Sequence, residues 1–130
     1  MKLFSLPKIS DPRGNLTFIQ FPDQIPFEIQ RVFWTYNVPG GEIRGGHANR
    51  TQQEVIIAIS GSFDVIVRNL NGQAQRIQLN RGYEGLFLSP NTWRHLENFS
   101  TNAVSLHLSS SLFDEKDYIY NYDEFIKLLE

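Results

Sequence analysis

The chain has 130 residues, of which 41% are hydrophobic and 20% are charged, and this excludes a disordered chain and fits one globular domain. Its net charge of −2 gives no argument for nucleic-acid or membrane binding, and the absence of cysteine excludes disulfides, a thiolate nucleophile and cysteine-ligated metal sites. The N-terminal stretch lacks the apolar segment of a signal peptide, and no apolar run is long enough to span a membrane. We therefore expect a cytoplasmic protein.

Short apolar segments separated by turn residues recur about every 8–12 residues, which predicts an all-β sandwich or barrel. The predicted strands are Thr17–Gln20, Arg31–Asn37, Glu54–Ser60, Phe63–Arg68, Gln75–Leu79, Gly85–Leu88, Trp93–Asn98 and Ala103–Leu108. Two tight connections are predicted, a hairpin at Ser60-Gly61 and a longer turn at Asn69–Gly72.

Two of these segments have informative patterns. In Phe63–Arg68 the apolar side chains alternate, which places Phe63, Val65 and Val67 on one face. The run Val55–Ile59 is apolar on both faces and predicts a central strand that is buried on both sides.

The C-terminal segment changes from strand-like to helical periodicity. Phe125, Leu128 and Leu129 recur at helical spacing, and Asp123 is a candidate N-cap. The sequence contains no internal repeat or linker, so we expect residues 1–130 to form a single domain that is closed by one short helix.

The segment between Gly41 and Gly61 carries the candidate chemistry. Gly41, His47, Glu54 and Gly61 have the spacing of the first cupin motif, which it resembles, except that Asn49 stands where the motif has its second histidine. A weaker resemblance to the second cupin motif lies in Gly85, Pro90 and His95. The resemblance implies a cupin-like double-stranded β-helix, or jelly roll.

Residues two apart on a strand share a face, so His47 and Asn49 are both predicted to face the barrel interior. Two chemistries remain open. His47, Glu54 and His95 are a possible ligand set for a divalent metal, or His47 is a base that acts without a metal. Because a neutral amide is a poor ligand for a transition metal, Asn49 favours the site without a metal.

A closer resemblance covers nearly the whole chain. It is carried by Asp11–Leu16, Arg31–Trp34, Arg44–Ala48, Ser60–Phe63, the Pro90 and Trp93 pair, and Asp114–Ile119 followed by Tyr122–Phe125. Together these segments resemble the sugar-nucleotide 3,4-ketoisomerases, the WxcM-like or FdtA-type family.

This resemblance implies an isomerase that moves the carbonyl of a dTDP-4-keto-6-deoxyhexose from C4 to C3, on the route to amino-deoxysugars of surface glycans. It implies a homodimer with a dTDP-sugar as substrate, no cofactor, no nucleic-acid partner and no membrane partner. The paired histidines of the family motif are its acid and base groups, and of that pair this chain keeps only His47.

Three positions depart from the family pattern: Asn49 replaces the second histidine, Glu54 follows Gln53 where the family has the reverse order, and Arg94 intervenes between Trp93 and His95. Two alternatives to the isomerase therefore stay open. One is a non-catalytic or diverged cupin that binds a sugar nucleotide, and the other is a metal-dependent cupin.

His47 is the candidate base, against the alternative of a hydrogen-bonded core histidine. Asn49 is predicted to orient the sugar or to polarise its carbonyl, or else only to fill space. Glu54 is a second acid–base candidate if burial raises its pKa, and the alternative is an ion pair with Arg50 or another arginine. Tyr36 is a candidate phenolic acid, although core packing is as compatible with the sequence.

Arginines supply the candidate substrate contacts. Arg44 is predicted to bind the diphosphate, since guanidinium groups bind phosphate in a bidentate manner. Arg94 and His95 are candidates for the mouth of the same pocket, with the alternative that His95 lies at the rim or on the outside. Arg13 reads first as a turn residue, and the family resemblance implies that it can reach the nucleotide across a dimer interface. His107, between Leu106 and Leu108, is expected to face outward or to pack within the sheet.

Overall fold

The computed structural model describes residues 1–68 and 71–128. The strands are β1 (Lys2–Ser5), β2 (Lys8–Asp11), β3 (Gly14–Thr17), β4 (Arg31–Thr35), β5 (Arg44–Asn49), β6 (Glu54–Ser60), β7 (Phe63–Arg68), β8 (Ala74–Leu79), β9 (Glu84–Leu88), β10 (Trp93–Glu97), β11 (Val104–Ser109) and β12 (Tyr118–Ile119). A short 3₁₀ helix, Glu115–Asp117, precedes β12, and one α-helix, α1 (Tyr122–Leu128), closes the chain.

These strands form two five-stranded antiparallel sheets and one separate hairpin. The first sheet has the order β1-β9-β6-β11-β4, and the second has the order β12-β5-β10-β7-β8. Strands β2 and β3 pair only with each other among the described residues. The predicted all-β architecture with a short C-terminal helix is confirmed.

The strand β6 lies at the centre of the first sheet and is buried on both faces, as its two-sided apolar pattern predicts. Ile56 and Ala58 point into the space between the sheets and pack in the main core, whereas Val55 and Ile57 pack on the other face in a second cluster with Leu6, Ile25 and Phe27. Phe63, Val65 and Val67 of β7 belong to the main core, as their alternation predicts.

The hairpin between β6 and β7 requires glycine at position 61. Gly61 has a φ of 64°, and a Cβ atom there would lie 2.5 Å from Ser100 Oγ and 2.9 Å from Ala103 Cα. The predicted turn at Ser60-Gly61 is therefore confirmed. The positive φ and the close approach of Ala103 explain why this position is glycine.

The ends of the chain differ from the predicted elements. The predicted strand Thr17–Gln20 is wrong, because the strand in this region, β3, ends at Thr17. The helix begins at Tyr122, and Asn121 rather than Asp123 caps it, since Asn121 Oδ1 accepts a hydrogen bond from the Glu124 amide at 2.9 Å. The predicted turn at Asn69–Gly72 and the helical position Leu129 lie partly or wholly outside the described residues.

Helix α1 packs on the outer face of the second sheet. Phe125 is buried there against Ala48, Trp93 and Ile119.

Because α1 is only seven residues long, no helix among the described residues is long and apolar enough to cross a membrane.

Candidate active site

One end of the space between the two sheets is polar and contains a cavity of about 150 Å³. It is lined by Phe33, Trp34, Thr35, Arg44, Gly45, His47, Glu54, Arg94, Leu96 and His107. Four of the predicted site residues, Arg44, His47, Glu54 and Arg94, thus come together from strands β5, β6 and β10. Strand alternation places His47, Glu54 and Arg94 there, because the inward positions of these strands are polar at this end. Arg44, three residues before His47, reaches the cavity because the pairing of β5 with β10 shifts register between the two residues, where Gly45 has a φ of 71°.

His47 lies on β5 with both ring nitrogens near oxygen atoms. Nδ1 is 2.7 Å from the carbonyl oxygen of Gly45, and Nε2 is 3.1 Å from Asn49 Oδ1. The ring packs against Tyr118, with 4.9 Å between ring centroids. Burial, together with the nearby Arg94 charge, lowers the pKa of His47 to about 4, so the imidazole is neutral near pH 7.

Asn49 is fully buried behind His47, and Asp117 sets the orientation of its amide. Asn49 Nδ2 donates to Asp117 Oδ2 at 3.1 Å, so the amide oxygen is the atom that faces His47. Asp117 also accepts hydrogen bonds from the backbone and hydroxyl of Thr51, and these bonds, against the effect of burial, lower its pKa. Because the carboxylate only accepts, the Asn49 amide must turn its NH₂ group, and not its oxygen, toward Asp117.

This arrangement has a consequence for the protonation of His47. A neutral imidazole has one N–H group, so it can donate to only one of its two oxygen neighbours. Protonated His47 donates to both, from Nδ1 to Gly45 and from Nε2 to Asn49. Asn49 therefore adds a hydrogen bond to His47 at the moment that the imidazole takes up a proton.

Glu54 is buried and forms an ion pair with Arg94, with 3.4 Å between Oε2 and Nη2. The same carboxylate accepts from Gln52 Nε2 at 3.1 Å and faces His107 Nδ1 at 3.2 Å. Burial raises the pKa of Glu54, but the Arg94 charge and the His107 contact outweigh it and lower the pKa to about 2. The condition for an acid–base role of Glu54, a pKa raised by burial, is therefore not met, and the alternative of an ion pair with an arginine is confirmed, with Arg94 rather than Arg50 as the partner.

The Arg94 guanidinium is buried and keeps hydrogen-bond capacity. Nη1 donates to the carbonyl oxygen of Thr92 at 3.0 Å, Nη2 makes only the 3.4 Å ion-pair contact with Glu54, and Nε has no hydrogen-bond partner among the described residues. Buried donors without a partner are costly, so a residue of this kind beside a cavity is suited to an oxygen atom of a ligand.

His107 is the site residue that sequence reasoning placed elsewhere. It is buried, lines the cavity, and stacks on Phe33 with 4.5 Å between ring centroids. Its Nε2 lies 2.8 Å from Ser105 Oγ. Of the two expectations for His107, the outward position is wrong, whereas packing within the sheet is confirmed, because the buried ring stacks on Phe33 of the neighbouring strand β4.

Four candidates lie outside this cavity, and the first is Asn49, which is buried behind His47 and does not line the cavity where the sugar was expected. The His95 ring lies on the opposite face of β10 from Arg94 and pairs with Glu97 at 2.7 Å, so the prediction that it lines the pocket is wrong. Tyr36 is exposed and, with Trp34, lines a neighbouring groove of about 400 Å³. Arg13 is exposed at the β2–β3 hairpin, where it pairs with Asp11 at 2.9 Å.

The proposed metal ligand set does not assemble, because His95 faces away from His47 and Glu54. In residues 1–68 and 71–128, no group of three or more histidine or acidic side chains is placed to hold a metal ion. The metal-dependent alternative therefore loses the geometry on which it was based.

The chain matches known proteins over its whole length. The family model described as "WxcM-like, C-terminal" (FdtA) matches residues 1–130. A TDP-4-oxo-6-deoxy-alpha-D-glucose-3,4-oxoisomerase from Aneurinibacillus thermoaerophilus is 37% identical over 128 residues, which are 98% of this chain and 91% of that protein.

Solved structures agree with this match. A 3,4-ketoisomerase from Helicobacter canadensis superposes with a TM-score of 0.94 at 35% identity, covering 98% of this chain and 96% of that chain. A histidine-to-asparagine mutant of the 3,4-ketoisomerase QdtA from Thermoanaerobacterium thermosaccharolyticum, in complex with TDP-4-keto-6-deoxyglucose, has a TM-score of 0.94 at 33% identity, covering 98% of this chain and 91% of that chain. The predicted cupin-like fold is confirmed.

Proposed function

The chain belongs to the WxcM-like, C-terminal family, and on this premise we propose that it is a sugar-nucleotide 3,4-ketoisomerase. Its substrate is a TDP-4-keto-6-deoxyhexose, whose carbonyl moves from C4 to C3. We further propose that it acts as a homodimer in the cytoplasm. The observation that carries the proposal is that a neutral imidazole, His47, lines one cavity with Arg94, whose buried Nε atom has no hydrogen-bond partner among the described residues.

The reaction needs a base that removes the proton on C3. His47 is suited to this step because its lowered pKa keeps it neutral near pH 7. Because Nε2 faces Asn49 Oδ1 in this structure, the ring must turn to take the proton from C3, and the imidazolium that turns back donates to Asn49, a hydrogen bond that the neutral ring lacks. Interactions of this kind, which are stronger after proton transfer than before it, lower the barrier rather than only the binding energy.

Removal of the C3 proton places negative charge on the oxygen at C4. Arg94 is suited to stabilise this oxygen, since its Nε atom has no hydrogen-bond partner in the described part of the chain and its Nη2 atom, although 3.4 Å from Glu54 Oε2, makes no hydrogen bond there. The enediolate then takes a proton at C4 and leaves the carbonyl at C3. Atoms and charge balance without an external oxidant or reductant.

The nucleotide of the proposed substrate fits the groove beside the cavity, which Trp34 and Tyr36 line. Trp34 lines both the cavity and the groove and is exposed, so its ring is available to stack on thymine. Arg44 lies at the cavity wall and is exposed, which suits a diphosphate ligand. Tyr36 in the groove is then a contact to the nucleotide rather than an acid at the sugar.

The dimer is supported by the β2–β3 hairpin, which exposes the apolar side chains of Ile9 and Leu16 and joins neither large sheet among the described residues. Arg13 lies on this hairpin and is proposed to reach the nucleotide of a partner subunit.

Incubation with TDP-4-keto-6-deoxyglucose, followed by NMR of the sugar, tests the isomerase. We expect the C4 carbonyl signal to be replaced by a C3 carbonyl signal. No migration with this sugar or its C4-keto relatives would overturn the proposal.

Asn49 favours one second candidate, a family member that binds the sugar nucleotide without turnover. This candidate predicts that calorimetry detects TDP binding while NMR detects no migration. Failure of TDP to bind would count against both functions, whereas migration would exclude the second one.

A further inference from the structure

Four buried or half-buried side chains form a continuous hydrogen-bonded row along one wall of the cavity. Thr35 Oγ1 lies 2.5 Å from Ser105 Oγ, Ser105 Oγ lies 2.8 Å from His107 Nε2, and His107 Nδ1 lies 3.2 Å from Glu54 Oε2. The row begins at Thr35, which lines the cavity, and ends at the carboxylate that pairs with Arg94.

The donors and acceptors of this row follow from its ends. A carboxylate can only accept, so His107 Nδ1 carries a hydrogen and donates to Glu54. When the ring carries no hydrogen on Nε2, that atom accepts from the Ser105 hydroxyl, and Ser105 Oγ in turn accepts from the Thr35 hydroxyl. The stacked Phe33 ring fixes the plane of the imidazole. The hydroxyl groups therefore form one directed path from the cavity to His107.

The order Ser105, His107, Glu54 is also that of a serine hydrolase triad. Ser105 is fully buried, does not line the cavity, and is covered by Thr35. It cannot reach a substrate carbonyl as a nucleophile, so proton transfer is the chemistry that this row can perform.

Ketoisomerisation requires a second proton movement besides the one at carbon, because the hydroxyl proton on the C3 oxygen must leave and the C4 oxygen must gain one. Asn49 has no group that titrates near pH 7, and His95 lies on the other face of β10. We propose that Thr35, Ser105 and His107 form a proton relay that moves this proton between the two substrate oxygens, an inference that rests on the proposed function.

Each proton transfer in the relay conserves atoms and charge. The C3 hydroxyl gives its proton to Thr35, Thr35 gives its own to Ser105, and Ser105 gives its own to His107 Nε2. The imidazolium that results is paired with the Glu54 carboxylate. The reverse series delivers one proton to the C4 oxygen and restores neutral His107, while His47 carries the separate proton between C3 and C4.

The test compares two rates in D₂O on the full-length chain with TDP-4-keto-6-deoxyglucose: exchange of the C3 hydrogen for deuterium, and migration of the carbonyl. Thr35→Val removes the first hydroxyl at nearly constant volume, on a strand position that favours a β-branched residue. We expect migration to fall about 100-fold, the usual scale of one acid–base group, while C3 exchange falls much less. Thr35→Ser, which keeps the hydroxyl, is expected to retain most of the migration rate.

Ser105→Ala interrupts the same path, and Ser109→Ala is its matched control, since Ser109 is equally buried on β11 and its hydroxyl bonds to the backbone of Ser111. Loss of migration in Ser105→Ala but not in Ser109→Ala supports the relay. The relay is overturned if Thr35→Val and Ser105→Ala keep wild-type migration, or if they lose exchange and migration in equal proportion, which indicates only structural damage. A wild-type chain with neither reaction overturns the proposed function and, with it, the relay.

Discussion

Asp117 accepts a hydrogen bond from the side-chain amide of Asn49 and thereby turns the amide oxygen toward His47. Through this contact, a carboxylate outside the cavity lining determines what His47 meets on its inner side. Asn49 is thus a positioned acceptor for the imidazolium form of His47. This gives a chemical role to the position at which the family motif has its second histidine.

Replacement of Asp117 tests this positioning role. In Asp117→Asn the new side chain can donate as well as accept a hydrogen bond, so the amide of Asn49 can turn either its oxygen or its NH₂ group toward His47. We expect kcat to fall about 10-fold with little change in KM, since a hydrogen bond to a charged group contributes about 1.5–3 kcal/mol. Asp114→Asn, in the same loop, is the control and should leave kcat unchanged. Steady-state kinetics on both variants would contradict the role if they behave alike.

Asn49→His tests whether the site is only a broken pair of histidines. Asn49 is fully buried, and an imidazole there needs more volume and loses the donor to Asp117. Because the second proton movement is assigned to His107, we expect no gain in kcat. A large gain in kcat would instead mean that position 49 is still the natural place of the second acid–base group.

The Glu54–Arg94 pair should be strongly coupled in stability. Arg94→Met leaves a buried carboxylate without its cation and is expected to cost about 3–5 kcal/mol in the free energy of unfolding. The double variant Arg94→Met, Glu54→Gln should recover most of this loss, as measured by urea unfolding. The exposed ion pair between Arg13 and Asp11 serves as the control. Arg13→Met should leave the midpoint of urea unfolding unchanged. Additive losses in the double variant would show that the two charges do not interact.

The pH profile of kcat/KM follows from the pKa of His47. The base must be neutral, and its pKa is lowered from 6.5 to about 4. Activity should therefore persist through pH 6 and decline with a midpoint near pH 4. Because the unfolded chain binds this proton at higher pH than the folded chain, acid also weakens folding, so circular dichroism must accompany each rate. An acid limb centred near 6.5 would contradict the assignment.

The fold and half of the site are predictable from the sequence because they depend on local patterns. The two-sided apolar run in β6 and the turn at Gly61 need no knowledge of distant partners, and the shared face of His47 and Asn49 follows from strand periodicity alone. The N-terminal strands escaped prediction since their residues are largely exposed and carry little apolar alternation.

The rest of the site depends on contacts between distant strands. The neighbours Arg94 and His95 face opposite sides of β10, and only the register with β7 decides which one enters the cavity. Burial alone would raise the pKa of Glu54, but Arg94 from β10 and His107 from β11 lie beside the carboxylate and lower it. His107 lies between two leucines, so its surroundings in the sequence suggest core packing rather than chemistry.

The most direct test of the account is the rate at which the C3 hydrogen of TDP-4-keto-6-deoxyglucose exchanges with D₂O, followed by proton NMR, in the wild-type chain and in His47→Gln. TDP binding by calorimetry serves as the control for an intact nucleotide site. We expect exchange in the wild-type chain and a loss of at least about 100-fold in the variant, with TDP affinity retained. Exchange at the wild-type rate in His47→Gln would contradict the assignment of His47 as the base.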